Sequence, residues 1–244
     1  MEIYLIIFTI IVVFIAGFTQ GAIGFGSAMV AVPLLGLFIP IKTVVPFTVL
    51  NGLLITASLC WRLRREIRPE MVTPLFIGCI PGVAAGTYLL SRAPATLLQV
   101  CLGVLVISYA VYALVKHQAV RWRPSPLPAM AAGFGTGAIG AAFSAGGPPT
   151  IIYLSGLDRP APEIKATFAG FFLLAGLLIA AFHFAAGLIS GEAVRLFAFS
   201  APAILAGVLI GEKVSRHLDE IRYRRLVLKG LFLLGLVLLM RSLG

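Results

Sequence analysis

Two glycine-rich stretches hold the residues most able to do chemistry. GFTQGAIGFGSAMVAVP runs from Gly17 to Pro33 and GFGTGAIGAAFSAGGPP from Gly133 to Pro149. At one ungapped offset of 116 residues, Gly17, Phe18, Gly21, Ala22, Ile23, Gly24 and Pro33 meet Gly133, Phe134, Gly137, Ala138, Ile139, Gly140 and Pro149. Glycine clustered among apolar residues serves either close helix approach or an unwound backbone. In the second copy Gly146 and Gly147 favour an unwound turn. Pro148 and Pro149 suit a helix's first turn, where their missing donors would find no partner anyway. A half-helix starting at Pro148, with Ser144 before it and Thr150 in its first turn, presents hydroxyls, amides and a positive dipole end. That is the chemistry of a small-anion site. The first copy offers a weaker equivalent in Ser27 and Pro33, and its Gly21, Gly24 and Gly26 form a small-residue face that tight helix packing explains equally well.

Other polar residues fall near these stretches. Lys165 offers a positive charge to an anion, and an interfacial lysine snorkelling to headgroups explains it as well. Asn51 and Thr167 coincide at the same offset of 116, either lining a cavity or bonding neighbouring helices. His183 lies inside an apolar run and is the candidate to accept a coupling proton, against the simpler reading of a hydrogen-bonded interior histidine. Glu2, Asp158, Glu163, Glu192 and Glu212 all sit near segment ends, which gives no support to a carboxylate proton relay. Ser27 or Ser144 with His183 would suit an intramembrane hydrolase, but the serines occupy non-equivalent places in the two copies and no GxSxG elbow is present. Cys60, Cys79 and Cys101 lack metal-ligand spacing and read as packing residues, so neither a metal nor a cofactor is expected.

Sixty per cent of the 244 residues are hydrophobic and 11% charged, a balance that belongs to an integral membrane protein. Long apolar runs separated by short basic loops predict an all-α polytopic bundle of 8–10 transmembrane segments rather than a barrel. The net charge of +10 sits in those loops and reads as a topology signal, not as a nucleic-acid surface. Beyond the glycine motif, Pro81 and Gly86 match Pro202 and Gly207 at an offset of 121. The chain therefore divides into a first repeat over 1–115, a basic, proline-rich cytoplasmic linker over 116–126 and a second repeat over 127–244, with about five helical elements in each repeat. The N-terminal run has Glu2 where a signal peptide needs positive charge and is read as the first helix.

Short apolar pairs flank Gly21–Gly26 and Ser144–Gly147 in corresponding places of the halves, the pattern of broken or re-entrant helices at a transporter's site. If each pair crosses the membrane twice, or enters and returns, 14 of the 19 basic residues fall on one side: Arg62, Arg64, Arg65, Arg68, Lys116, Arg121, Arg123, Arg159, Lys165, Lys213, Arg216, Arg222, Arg224 and Arg225. If each pair is one bent span, the bias disappears. The positive-inside rule prefers the first arrangement, with both termini outside the cytoplasm. An odd number of elements per half then makes the repeats inverted, and the two breaks are expected to meet near the midplane.

At these residues the chain resembles the sulfite exporter TauE/SafE family of bacterial membrane transporters. GAIGFGSAMVAVP, GAIGAAFSAGGPP and the doubling of the whole chain carry the resemblance. It implies an inner-membrane protein moving sulfite, an organosulfonate or another small sulfur-containing anion. It also carries the motif role onto Gly21, Gly24, Gly26, Pro33, Gly140, Gly146, Gly147, Pro148 and Pro149. Phe25, Ala141, Ala142 and Phe143 depart from the richer glycine run often seen in that family. The expected function is a secondary transporter working by alternating access. An anion channel is the second reading and a serine hydrolase the third. The expected partners are the bilayer and a small anion, with no nucleic acid and the oligomeric state left open.

Overall fold

A computed structural model describes residues 3–115, 125–215 and 219–243. Most of the expected linker, and with it Lys116, Arg121 and Arg123, lies outside the described residues, as do Glu2 and Arg216. The described chain is helical: α1 (Ile3–Ile23), α2 (Ser27–Leu35), α3 (Ile41–Leu63), α4 (Pro69–Arg92), α5 (Ala95–Val115), α6 (Pro126–Phe143), α7 (Gly147–Ser155), α8 (Ala161–Ala185), α9 (Gly191–Ser215) and α10 (Glu220–Leu243). Among these, α1, α3, α4, α5, α8 and α9 are long and apolar enough to cross a membrane. Backbone groups in lipid must bond internally, so apolar runs of this length fold as helices. The protein is a multi-pass membrane protein. The two shortest helices, α2 and α7, have nine residues each and follow the two glycine-rich stretches.

The chain forms two compact units, each mixing helices from both halves of the sequence. One unit holds α1, α2, α3 up to Asn51, α5, α9 and α10. Its centre is the α1–α9 pair. Gly17 and Gly21 lie against the Ile204 and Val208 carbonyls, and Gly207 and Gly211 against those of Phe14 and Phe18, where a Cβ would have no room. Without a hydrophobic drive between helices in lipid, such backbone approach and its van der Waals contact are what join them. α5 packs on α10 with Gly103 beside Leu239 and Gly235 beside Ile107.

The other unit holds α3 from Gly52, with α4, α6, α7 and α8. Its centre is the α4–α6 pair, built in the same manner. Gly78, Gly82 and Gly86 face the Met130, Phe134 and Ala138 carbonyls, and Gly133 and Gly137 face those of Leu75 and Cys79. α8 packs on α4 through Thr167, which reaches Met71 Sδ at 3.7 Å.

Candidate functional site

The two glycine-rich stretches form two helical hairpins. In the first, the Gly24 N–H closes α1 on the Gln20 carbonyl at 2.7 Å. Gly24 and Gly26 then take φ of +91° and +102°, a region that costs an L-residue strain and glycine nothing. Nothing lies within 4 Å of where their Cβ atoms would stand, so the demand for glycine here is torsional. Ser27 opens α2, donating its backbone N–H to Gln20 Oε1 at 3.2 Å and its hydroxyl to the same oxygen. α2 then doubles back along α1: Phe38 meets Phe8 edge-on at 5.0 Å, and the Gly36 carbonyl accepts from Gln99 on α5 at 3.4 Å. Pro33 is buried inside α2.

The second hairpin is tighter. α6 ends at Phe143, and Ser144 takes the left-handed conformation at φ 57° with its N–H on the Gly140 carbonyl at 2.8 Å. Thr136 and Thr150 share a hydrogen bond of 2.7 Å across the hairpin. Gly146 lies against the Thr136 carbonyl and Gly140, while a Cβ on Gly147 would meet only Ile151 of its own helix at 3.5 Å. Pro148 is buried in α7, and Pro149 packs beside Gly135. Farther back, the Tyr153 hydroxyl donates to the Ser125 carbonyl at 3.3 Å. Both pairs thus double back as hairpins; neither is one continuous bent helix.

His183, fully buried in the last turn of α8, contacts the Ala141 carbonyl through Nε2 at 2.9 Å. A carbonyl only accepts, so Nε2 carries the hydrogen and, in the neutral ring, Nδ1 is bare. Nδ1 is buried without a partner. Ala141 belongs to the last turn of α6, whose carbonyls have no donor within the helix, and His183 supplies one. Ile179, one turn earlier on α8, packs against Gly140.

The hairpins differ in register from the sequence match. Ile23 and Phe143 end their helices, and Ser27 and Gly147 start the next ones, at spacings of 120 residues rather than 116. The second hairpin therefore runs one helical turn longer. Gly140, the counterpart of Gly24 in sequence, is helical, and Ser144 takes the left-handed place of Gly24. α3 and α8 also start 120 residues apart, at Ile41 and Ala161, so Asn51 and Thr167 are not equivalent positions. Asn51 is buried, donating to the Phe47 carbonyl at 3.1 Å with its Oδ1 unpartnered. Thr167 donates to the Glu163 carbonyl at 2.8 Å.

The turns also lie farther along than a midplane site requires. Gly21 is level with Val208 and Glu212 in the last two turns of α9, and Ala138 is level with Gly86 in the last two turns of α4. With 21 and 18 residues, α1 and α6 are about 31 and 27 Å long at 1.5 Å per residue. Each is comparable in length to a hydrocarbon core of about 30 Å.

The expected positive charge is not at the second turn. Lys165 is exposed near the start of α8, about 27 Å along the helix from His183. That end of the unit gathers other charges: Arg68 bridges Glu163 at 3.4 Å, and Glu70, Ser125, Tyr153 and Arg159 line a cleft of about 210 Å³. Ser27 spends its hydroxyl on Gln20 and His183 its Nε2–H on a backbone carbonyl, so neither belongs to a nucleophile–base pair.

Sequence reasoning missed Gln20, Thr136, Tyr109 and Arg224. Gln20 and Thr136 were visible as polar residues within apolar runs beside the motif. Tyr109 on α5 meets Phe25 edge-on at 6.3 Å, and the Arg224 guanidinium on α10 lies 5.9 Å from the Phe25 ring centroid. No local signal ties either to the turn.

A family profile described as Sulfite exporter TauE/SafE matches residues 9–238, nearly the whole chain. No curated protein and no solved structure matches.

Proposed function

The chain belongs to the TauE/SafE sulfite exporter family, and from that premise we propose that it is a secondary transporter moving sulfite, or an organosulfonate of similar size, across the bacterial inner membrane by alternating access. The observation that carries this reading is the family match across nearly the whole of a bundle with two broken hairpins, the form that transporters use to place backbone amides at a substrate. The two halves act as inverted repeats, with the loops rich in Arg and Lys in the cytoplasm and both termini outside. His183, with its bare Nδ1 beside the second turn, is the coupling candidate.

The test is flux of labelled sulfite into liposomes holding the purified protein. Saturable uptake that follows an imposed ion gradient is expected. Non-saturating flux independent of any coupling gradient would replace the carrier with an anion channel, and no flux of sulfite or any sulfonate overturns the substrate. If His183 accepts the coupling proton, His183→Gln abolishes the dependence of flux on a pH gradient while leaving exchange at equal pH.

A further inference from the structure

The two turns differ in what surrounds them. At the second, Ala142, Phe143, Ala145 and Gly146 are buried and the two threonine hydroxyls satisfy each other. The first is open: Gly24 is exposed, and the Cβ positions of Gly24 and Gly26 have no neighbour within 4 Å. Two side chains flank it through Phe25. Tyr109 is 6% exposed, and its hydroxyl has no hydrogen-bond partner. Arg224 is exposed on the Phe25 face, and its guanidinium is close enough to act on the Tyr109 oxygen, to which it can only donate.

Several donors are left over at this turn. Gln20 gives its carbonyl oxygen to Ser27, which leaves its amide hydrogens. Beyond Ser27, the first-turn amides of α2 have no intrahelical acceptor. Among the described side chains, Asp219 is held by Arg222 at 3.0 Å and Glu212 has its own partner. A buried phenol with nothing to donate to is costly, and an oxyanion satisfies it together with the guanidinium and the amides. We propose that Arg224 and Tyr109, with the first turn of α2, form an oxyanion subsite at the Gly24–Gly26 turn. Its ligand is a small sulfur oxyanion, an identity that rests on the transport reading above. Arg224 binds two oxygens in its fork, Tyr109 donates to a third, and Phe25 limits the size of what enters.

The experiment titrates freshly prepared sulfite into the full-length protein in detergent, by calorimetry and by thermal unfolding, against chloride at equal ionic strength. Sulfite is expected to bind and to raise the unfolding midpoint where chloride does not. Arg224→Gln is expected to weaken binding about tenfold or more, Tyr109→Phe several-fold, and Arg224→Lys by an intermediate factor because the charge stays and the fork is lost. Gel filtration and the ligand-free midpoint of Arg224→Lys report that the fold survives. Unchanged sulfite affinity in Arg224→Gln, or no response of the wild type beyond chloride, overturns the subsite. Liposome flux on the same preparations separates the two claims. Binding through Arg224 without flux keeps the subsite and rejects transport. Flux with normal affinity in Arg224→Gln keeps transport and rejects the subsite.

Discussion

Glycines that look alike in the motif do different work residue by residue, and substitutions separate them. Gly146 has its missing side chain facing the Thr136 carbonyl and the Gly140 backbone, while Gly147 faces only the flexible end of Ile151. Gly146→Ala is expected to cost about 1–3 kcal/mol by overpacking, seen as a lower unfolding midpoint in detergent, and Gly147→Ala to leave the midpoint unchanged. An equal fall in both would mean that the hairpin does not close on Gly146. His183 makes a second residue-scale prediction. His183→Leu removes the donor to the Ala141 carbonyl and is expected to cost about 1–3 kcal/mol, the penalty of an orphaned buried acceptor. Much of that loss should be recovered in His183→Gln, which retains an amide donor.

For the elements, the relevant measure is how firmly each hairpin is shut. The Thr136–Thr150 bond crosses the second hairpin, and a double-mutant cycle with alanine at both positions is expected to show coupling of about 0.5–1 kcal/mol, the range for polar pairs in membranes. Additive effects would place the hairpin's closure in glycine and proline packing alone. The helical elements and the two interruptions were legible in the sequence, because apolar run length and glycine–proline punctuation report directly on helices in lipid; the register relating the two interruptions was not. Nor was the point where the second helix stops. Both copies carry GAIG, yet α1 ends within it and α6 runs on to Phe143. In α6, Gly140 stays helical and packs on Ile179, and the helix ends only where Ser144 takes the left-handed conformation. In α1 no proline intervenes before Pro33, and Gly24 and Gly26 themselves end the helix. The charged partner at the first turn was also illegible, since Arg224 reaches Phe25 from a helix about 200 residues away along the chain.

For the whole molecule, the loops of the unit built on α4 and α6 test the sidedness of the chain. Arg68 and Glu163 bring two of its basic loops to one end. In a cysteine-free background, single cysteines at positions 68 and 159 are expected to react with an impermeant maleimide only from the cytoplasmic side. Those at position 92, the last residue of α4, and position 187, just past α8, should react only from outside. The reverse pattern would overturn the charge-based orientation. The pairing of α1 with α9 has a different consequence, one in time. α6 finds α4 already made when it leaves the ribosome, but Gly17 and Gly21 must wait for Ile204 and Val208, almost 190 residues later. At about 5–20 residues per second, the first helix spends roughly ten to forty seconds in the bilayer with its glycine face unclaimed. In that interval a chaperone, or a neighbouring nascent chain, can compete for it.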